Sequence, residues 1–362
     1  MYSYKFFADY HTHTINSVNN FSITDNHGYG TIEENALVAD FRGFTEIGIT
    51  DHGYKHFMFG INPKEDHFKQ IREEIDILND KFKNRNLKIL FGLECNIISY
   101  DGEIDIKDYM LDYVDYVNAG IHEGSGILTF DMLSNKIIKN NHKFLEATQN
   151  ALNKNAQIIK ILTHPDEVIK FTKEEMIEIG KSAIKNDVAL EINSSHEPLS
   201  IEYLKELDQL GVMFSVGSDA HTPEKVGNFT RAHQNIKTAQ INPSKIINCN
   251  IETVNKKESD CNHIIFINGN GVLYDKIDKD YVFRPLDKLK KIVEVQNAKI
   301  IIAASYRRKP NGKKEIEKHL EKYGLIDNLL GYTIKKNKSS RAKKIKSWKD
   351  NLGPSYTYEV IK

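Results

Sequence analysis

Histidines and acidic residues recur along the first two-thirds of the sequence, each soon after a short apolar run. The set comprises His11, His13, Asp51, His52, Glu94, His122, His164, Asp219 and His221. In barrels of alternating strands and helices, the carboxyl ends of the strands converge on one face, where active sites lie. Imidazole and carboxylate ligands together suit Zn, Mn or Fe, whereas an all-oxygen site favours Mg or Ca. The pattern therefore predicts a metal centre built from strand ends.

Two pairs of these residues have the period of a β-strand. His11 and His13 are two positions apart, as are Asp219 and His221, so the members of each pair face the same side and can chelate one ion. Any one histidine is more often a core or surface residue than a ligand, but the whole series favours a metal site. We expect Asp9 and Asp51 to orient neighbouring imidazoles, although a purely structural role is nearly as common for such carboxylates.

The motifs that contain these residues resemble, in order, those of the PHP (polymerase and histidinol phosphatase) superfamily. They are His11-Thr12-His13, Thr50-Asp51-His52-Gly53, Gly92-Leu93-Glu94, Gly120-Ile121-His122, Thr163-His164-Pro165 and Gly217-Ser218-Asp219-Ala220-His221. Each motif alone is weak, whereas the ordered series, from about Phe7 to about Val226, is specific. The resemblance implies an α/β fold with a distorted (β/α)7 barrel that holds up to three metal ions.

The resemblance also implies a ligand set. It assigns a first metal to His11, His13, Glu94 and Asp219, and a second, bridged by Glu94, to His122 and His164. A third would be held by His52, His221 and one more histidine. That histidine is His27, because it precedes a Gly-Tyr-Gly-Thr-Ile-Glu run similar to the family's Gly-Thr-Ile-Glu run. Residues 18–26 look like an insertion before it.

Two or three divalent ions lower the pKa of bound water and neutralise phosphoryl oxygens. The resemblance therefore implies hydrolysis of a phosphomonoester or phosphodiester, including a nucleotide or nucleic-acid end, by direct attack of metal-bound hydroxide without a protein nucleophile. His196 and Arg231 are candidate substrate contacts, although structural or surface roles are commoner for each. The alternative is a nucleic-acid-binding or scaffold protein with a structural metal cluster. The complete ligand set favours the enzyme, since structural sites seldom need several metals.

Apolar runs alternate with segments of helical period through this region, which predicts parallel strands with crossover helices. The predicted domains are 1–249 and 263–362, joined by a polar linker at 250–262.

Only three cysteines occur, Cys95, Cys249 and Cys261, without paired spacing, which disfavours disulfides and thiolate zinc sites. No apolar stretch is long enough to span a bilayer, and residues 1–5 lack the features of a secretory signal. We expect a cytoplasmic protein without a membrane partner.

The zero net charge of the chain conceals an asymmetry between its parts. Residues 263–362 contain 23 Lys and Arg against 11 Asp and Glu, a net charge of +12, so the remainder has a net charge of −12. Such asymmetry indicates an anionic partner for the basic part. A compositional bias toward Lys and Asn explains it equally well.

The basic part resembles the haloacid dehalogenase (HAD) superfamily, which implies a smaller Rossmann-like domain. The segment 264–274 is similar to the family's first motif, and Ala303-Ala304-Ser305 to its second. Asn268 and Asn270 replace the two catalytic aspartates, and an amide neither attacks phosphorus nor exchanges protons near neutral pH. No later strand with the family's acidic pair occurs before Lys362. We therefore predict a module that is catalytically inactive or incomplete.

An inactive basic module can still hold a nucleic acid or nucleotide through its phosphates. Lys343 or Lys344 corresponds to the family's phosphate-binding lysine, although a solvated helix face explains these residues as well. Stacking on Trp348, Tyr306, Tyr356 or Tyr358 is a further expectation, with core packing the ordinary alternative. A dimerisation surface, and hence a homo-oligomer, is the main competing role.

Overall fold

The structure is a computed structural model of the 362-residue chain. It describes residues 3–19, 27–128, 141–250, 261–277, 280–304, 306–309, 311–334 and 340–361. The chain divides into two compact units, Met1–Asp40 with Phe44–Lys256, and Phe41–Gly43 with Lys257–Lys362. The main division falls within 250–262, the predicted linker, most of which lies outside the described residues.

A parallel sheet of seven strands forms the centre of the first unit, counted over its described residues. The strands are β1 (Ala8–Asp9), β2 (Glu46–His52), β3 (Lys88–Asn96), β4 (Tyr116–Gly120), β5 (Ile159–Leu162), β6 (Ala189–Asn193) and β7 (Phe214–Gly217). Each strand pairs in parallel with its neighbour in the sequence. A parallel bridge between Thr12 and Ala220 connects the chain just after β1 with the chain just after β7. The sheet is therefore a nearly closed barrel, as the sequence predicts.

Helices alternate with these strands along the chain. They are α1 (Ile32–Phe41), α2 (Glu65–Phe82), α3 (Asn141–Lys154), α4 (Lys173–Lys185), α5 (Ile201–Leu210) and α6 (Thr230–Ala239). One face of α2 is buried through Phe68, Ile71, Ile75, Leu78 and Phe82, which recur at the three- and four-residue spacing of a helix face. Strand residues are buried almost throughout, as in β2 and β6, because a parallel sheet has both faces covered.

Local signals in the sequence explain where several helices begin and end. The Thr172 hydroxyl accepts a hydrogen bond from the Glu175 N–H, and the Glu175 carboxylate accepts one from the Thr172 N–H. Thr31 and Glu34 form the same pair before α1. Such capping boxes satisfy amide groups that the first helical turn leaves unpaired. Gly211 ends α5 with a φ of 97°, a conformation that glycine adopts without strain. These local spacings therefore explain where α1 and α4 begin and where α5 ends.

Short antiparallel pairs and 3₁₀ turns complete the first unit. Lys5–Phe6 pairs with Cys249–Asn250, and Val18–Asn19 pairs with Phe59–Gly60. The 3₁₀ turns are Lys83–Arg85, Asp108–Asp112, Pro223–Lys225 and Pro243–Lys245. No helix among the described residues has both the length and the hydrophobicity needed to cross a bilayer.

The second unit contains a parallel sheet of four strands, counted over its described residues. They are β8 (His263–Asn268), β11 (Ala298–Ala303), β12 (Leu329–Tyr332) and β13 (Thr357–Ile361). Their order across the sheet is β12-β11-β8-β13. A hairpin, β9 (Tyr274–Ile277) and β10 (Asp280–Phe283), follows β8. The helices are α7 (Asp287–Val295), α8 (Gly312–Lys322) and α9 (Arg341–Leu352), and 3₁₀ turns occur at Tyr306–Arg308 and Ile326–Asn328. Resemblance of this unit to the HAD family stays a prediction.

Candidate metal centre

The predicted ligands meet at the carboxyl ends of the barrel strands. His52 is the last residue of β2, and Glu94 lies near the end of β3. The other ligands come shortly after a strand: His11 and His13 after β1, His122 after β4, His164 after β5, and Asp219 and His221 after β7. All of these residues except His221 are less than 9% exposed. Parallel strands bring their carboxyl ends to one edge, so residues that are far apart in sequence become neighbours there.

Glu94 lies at the centre of this cluster. Its Oε1 is 3.1 Å from His11 Nε2, 3.1 Å from His122 Nε2 and 2.9 Å from His164 Nε2. Its Oε2 is 2.8 Å from His52 Nδ1 and 3.5 Å from His13 Nε2. The two carboxylate oxygens therefore face different groups of imidazoles, an arrangement suited to bridging metal ions.

Asp219 joins the His11 and His13 side of the cluster. Its Oδ1 is 3.1 Å from His13 Nε2 and 3.7 Å from His11 Nε2. The same oxygen is 3.4 Å from His221 Nδ1. One carboxylate thus approaches both histidines of the first predicted pair and also His221, its own partner in the second pair.

His27 lies beside His52 and His221, where the resemblance expects a third metal. Its ring centroid is 5.0 Å from that of His52 and 4.3 Å from that of His221. Phe59 stacks on the His27 ring at 3.7 Å. The rings of His13 and His221 also stack, at 4.3 Å. Most of the predicted insertion, 20–26, lies outside the described residues.

Burial and neighbouring charges set the electrostatics of the centre. Burial lowers the pKa of His13 well below its usual value, and His52 and His221 lower it further. Burial and nearby histidines likewise lower the pKa of His27 to about 2. Burial raises the pKa of Glu94, but His11, His122 and His52 outweigh that effect and bring it well below its usual range. Neutral imidazoles and ionised carboxylates are the forms that bind metal.

The donor set fits divalent metal ions. Within the part of the chain that the structure describes, several buried ring nitrogens and one carboxylate oxygen of the cluster make no hydrogen bond, among them His11 Nε2, His221 Nε2 and Glu94 Oε2. Four groups of three residues bring their ligand atoms within 4.8 Å of one another: His13, His52 and His221; His11, His164 and Asp219; His11, His13 and Glu94; His52, Glu94 and His122. Buried polar atoms without partners are costly, so convergence of several on one point favours a coordinated cation.

Two of the candidate ligands have an unusual backbone conformation. His164 has a φ of 27° and Asp219 a φ of 48°. Positive φ is uncommon for residues other than glycine and clusters at functional sites. The turns after β5 and β7 therefore hold these two side chains in place at some conformational cost.

The contacts of Asp9 and Asp51 differ from those predicted. Asp51 accepts hydrogen bonds from the Thr14 N–H, the Thr14 hydroxyl and the Ser17 hydroxyl. Asp9 accepts from the Ser218 hydroxyl and from the Ser218, Gly227 and His11 N–H groups. Within the described part of the chain, neither carboxylate accepts a hydrogen bond from an imidazole. They hold the loops that present the ligands, because those loops offer N–H and hydroxyl donors.

Glu191 performs the role that was predicted for those aspartates. Its Oε1 is 2.7 Å from His11 Nδ1, and its Oε2 accepts hydrogen bonds from the His164 N–H and the Asn193 amide. It lies inside β6 and is 1% exposed. Glu191 is absent from the predicted site, although an acidic residue in the middle of the apolar run 188–192 is a usable signal.

A cavity of about 430 Å³ opens onto the cluster. It is lined by His27, His52, His56, Met58, Phe59, His122, Glu123, His164, Glu167, Val168, His196, Asp219 and His221. His196, a predicted substrate contact, therefore faces the candidate metal centre, together with Glu167, which the sequence analysis missed. Arg231 instead lines a separate groove and donates a hydrogen bond to the Ser195 carbonyl oxygen.

A second cavity lies in the second unit, at the ends of its parallel strands. It has a volume of about 250 Å³ and is lined by Asn268, Asn270, Tyr274, Ala303, Ala304, Thr333, Arg341 and Lys344. Lys343 is not among these residues, and its N–H bonds to the Ser340 hydroxyl that caps α9. Ser305 lies outside the described residues. The structure thus brings Asn268 and Asn270 together with two cations.

Comparison with known proteins adds curated relatives. A probable phosphatase of Proteus mirabilis is 30% identical over 249 residues, which cover 67% of this chain and 89% of the relative. A probable phosphatase of Thermoanaerobacter pseudethanolicus is 29% identical over 263 residues, 68% of this chain and 92% of the relative. No family model matches.

Among solved structures, a histidinol phosphate phosphatase of Lactococcus lactis, complexed with Zn, L-histidinol and phosphate, resembles this chain. The two are 22% identical with a TM-score of 0.49, over 65% of this chain and 94% of the other.

Proposed function

The chain belongs to the PHP phosphatase family, and on that premise we propose that it hydrolyses small phosphomonoesters at the cluster around Glu94. The relative from Proteus mirabilis, 30% identical, supports phosphate ester hydrolysis as the reaction. The observation that carries the proposal is the position of Glu94, whose two oxygens face five histidines. A carboxylate in that position could hold more than one metal ion, and a polynuclear centre would be suited to phosphoryl chemistry.

The finer metal assignment is also a proposal. A first ion would be held by His11, His13, Glu94 and Asp219, and a second by Glu94, His122 and His164. A third would be held by His27, His52 and His221, whose rings lie within 5.7 Å of one another, centroid to centroid. When bound, such ions acidify water and neutralise the phosphoryl oxygens. The mixture of imidazole and carboxylate donors favours Zn, Mn or Fe.

The protein's own residues hold this centre in shape. Glu191 accepts from His11 Nδ1, so the other ring nitrogen, Nε2, is directed toward Glu94 and Asp219. Glu167 Oε2 lies 3.0 Å from His164 Nδ1, an ion-pair distance at which its charge favours a proton on that nitrogen. Outer carboxylates of this kind set the tautomer of a ligating histidine and raise its basicity. The chain thus supplies a preorganised centre.

The cavity supports a small substrate. Its volume of about 430 Å³ is in the range of small-molecule sites, which run from about 300 to 1,000 Å³. Its lining includes three apolar residues, Met58, Phe59 and Val168. A phosphate ester with a compact leaving group matches both features.

Turnover assays test this function. We expect the Zn- or Mn-loaded protein to hydrolyse p-nitrophenyl phosphate and small natural phosphomonoesters much faster than bis(p-nitrophenyl) phosphate, and a chelator to abolish turnover. Preference for the diester would contradict the phosphomonoester assignment. Absence of turnover on every ester, with metal bound at the expected stoichiometry, would support the alternative of a structural cluster.

For the second unit we infer that it binds a phosphate-bearing ligand without hydrolysing it. In this way it would assist the protein in binding its substrate. Asn268 is the last residue of β8, which has β11 on one side and β13 on the other. The chain therefore continues to opposite sides of β8, and such switch points in parallel sheets form ligand crevices. The cavity there contains Arg341 and Lys344 but no acidic residue among its described lining. The amides of Asn268 and Asn270 are neutral, so they add no negative charge that would repel a phosphate, whereas carboxylates at these positions would.

Phosphate titration tests this role. In the His11→Ala/His13→Ala background, which removes the first centre, we expect inorganic phosphate and a nucleotide to bind by calorimetry. Arg341→Ala/Lys344→Ala should weaken binding, and Lys346→Ala/Lys349→Ala, which removes two charges elsewhere on α9, should change it less. Equal weakening by both pairs would indicate a non-specific basic surface instead.

A further inference from the structure

The His196 imidazole lies in the wall of the metal-centre cavity but is not one of the candidate ligands. Its Nδ1 is 2.6 Å from Glu167 Oε1, and its Nε2 is 3.0 Å from Asp219 Oδ2. The side chain is 41% exposed, far more than the buried imidazoles around Glu94. Because both ring nitrogens face carboxylate oxygens, both are placed as hydrogen-bond donors.

The position of His196 is set from two sides. Asn193 Oδ1 accepts hydrogen bonds from the Ser195 and His196 N–H groups, at 2.8 and 2.9 Å. Glu167 holds the ring itself, while its other oxygen lies 3.0 Å from His164 Nδ1. One carboxylate therefore couples the orientation of His196 to that of a candidate metal ligand.

Few other groups in the cavity are available to donate to a substrate. Among the described residues that line it, none is Lys or Arg. His56 also lines it, but His56 Nδ1 accepts hydrogen bonds from the Met58 and Phe59 N–H groups. Two of the lining histidines, His56 and His196, lie outside the candidate ligand set. His196 differs from His56 because both of its ring nitrogens contact side-chain carboxylates.

The hydrogen bond from His196 Nε2 can be redirected to a substrate at low cost. Asp219 Oδ2, its present partner, also accepts a hydrogen bond from the Asn193 amide at 3.2 Å. That carboxylate oxygen keeps a donor when His196 turns to the substrate, and a satisfied acceptor avoids the penalty of a buried orphan.

We propose that His196 donates a hydrogen bond from Nε2 to the leaving-group oxygen of the phosphate ester, and that Glu167 positions it. The inference rests on the proposed phosphomonoesterase function. In the reaction, the water oxygen forms the new bond to phosphorus, and the ester P–O bond breaks with its electron pair going to the leaving oxygen. That oxygen ends as a hydroxyl with one hydrogen of the water, and the other hydrogen goes to the phosphate or the solvent. His196 stabilises the charge that develops on the leaving oxygen.

Substrates that differ only in leaving-group acidity test the proposal. Phenyl phosphate and p-nitrophenyl phosphate share a ring, but nitrophenolate is stable as an anion and needs little help to leave. With the Zn-loaded full chain, we expect His196→Ala to lower kcat/KM for phenyl phosphate by about 100-fold, as for loss of one preorganised donor. The loss for p-nitrophenyl phosphate should be several-fold at most. His196→Gln, which keeps a side-chain N–H, should recover part of the loss on phenyl phosphate. Glu167→Gln should show the same discrimination to a smaller degree when it is assayed at saturating zinc, because Glu167 also contacts His164.

Matched variants separate this role from a structural one. His56→Gln changes another cavity histidine and should affect both esters in equal proportion. Bound zinc, measured by atomic absorption, should be unchanged in His196→Ala. Equal losses on both esters, no loss on either, or release of zinc would each overturn the proposal. Failure of the proposed function is distinguishable, because the wild-type protein would then hydrolyse neither ester.

Discussion

Thr12 and Ala220 form a parallel β-bridge that joins the two ends of the barrel sheet. The His13 N–H donates to the Ala220 carbonyl oxygen at 2.8 Å, and the Ala220 N–H donates to the His11 carbonyl oxygen at 3.4 Å. Each partner of the bridge lies between two candidate ligands in sequence. The bridge that closes the barrel therefore also brings His11 and His13 next to Asp219 and His221.

Removing the first histidine pair should abolish both metal binding and activity. His11→Ala/His13→Ala deletes two imidazoles that face Glu94 and Asp219. Loss of a residue that only hydrogen-bonds a metal ligand lowers metal affinity by roughly 10- to 100-fold, and we expect a larger loss here. Zinc content and phosphomonoester turnover measure it. His142→Ala, at an exposed position on α3, is the control and should change neither. Full zinc content in the double variant would rule out these ligands.

Glu191→Gln should weaken metal binding while the fold persists. The oxygen of the new side-chain amide can accept from His11 Nδ1, but its NH₂ group would then face the His164 N–H that Glu191 Oε2 now accepts. We expect metal affinity to fall by roughly 10- to 100-fold, measured by competition with a chromogenic chelator. Glu178→Gln, whose native carboxylate pairs with Lys181 on the surface, should leave the affinity unchanged. An unaltered affinity in Glu191→Gln would show that His11 needs no such partner.

Burial of Asp105 should make the free energy of unfolding depend on pH. Burial raises the Asp105 pKa from 3.8 to about 6, although hydrogen bonds from Lys55 and Asn96 oppose this. Below about pH 3 the carboxyl is largely protonated in both the folded and the unfolded chains, because the unfolded pKa is 3.8. As the pH rises toward 6 the unfolded chain ionises first, so stability falls by about 3 kcal/mol and then stays constant.

The Asp105→Asn variant isolates this effect, because its side chain does not titrate. In urea unfolding of the metal-free proteins, followed by circular dichroism, the stability of wild type relative to Asp105→Asn should decrease between pH 4 and 6.5. Asp9, whose pKa burial also raises to about 6, is present in both proteins and cancels. A stability difference that is constant with pH would contradict the prediction.

Unfolding of the second unit should be visible in the fluorescence of Trp348. It is the one tryptophan of the chain and is 1% exposed. Leu320 is fully buried in the core of this unit, so Leu320→Ala should lower the free energy of unfolding detected by Trp348 by about 2–5 kcal/mol. Lys318→Ala, an exposed position on the same helix, should have little effect. A Leu320→Ala transition equal to wild type would place Leu320 outside the cooperative core.

Much of the candidate site was predictable because its signals are local. Buried strands such as β2 contain short apolar runs, and His11 and His13 are two positions apart, as residues on one face of a strand are. Thr172 and Glu175 are three positions apart, the spacing of a capping box. These features depend on neighbours along the chain. The sequence alone thus predicted the alternating α/β order and the set of side chains that gather at the strand ends.

Tertiary structure decided which of those side chains share a partner. The central position of Glu94, the contact of His11 with Glu191 across 180 positions, and the pairing of His196 with Glu167 depend on the strand order and closure of the barrel. Asp9 and Asp51 bind loop amides and hydroxyls for the same reason, since those donors reach them only in the folded barrel. Sequence determines residue chemistry and local conformation, whereas distances between residues remote in sequence arise only when the sheet closes.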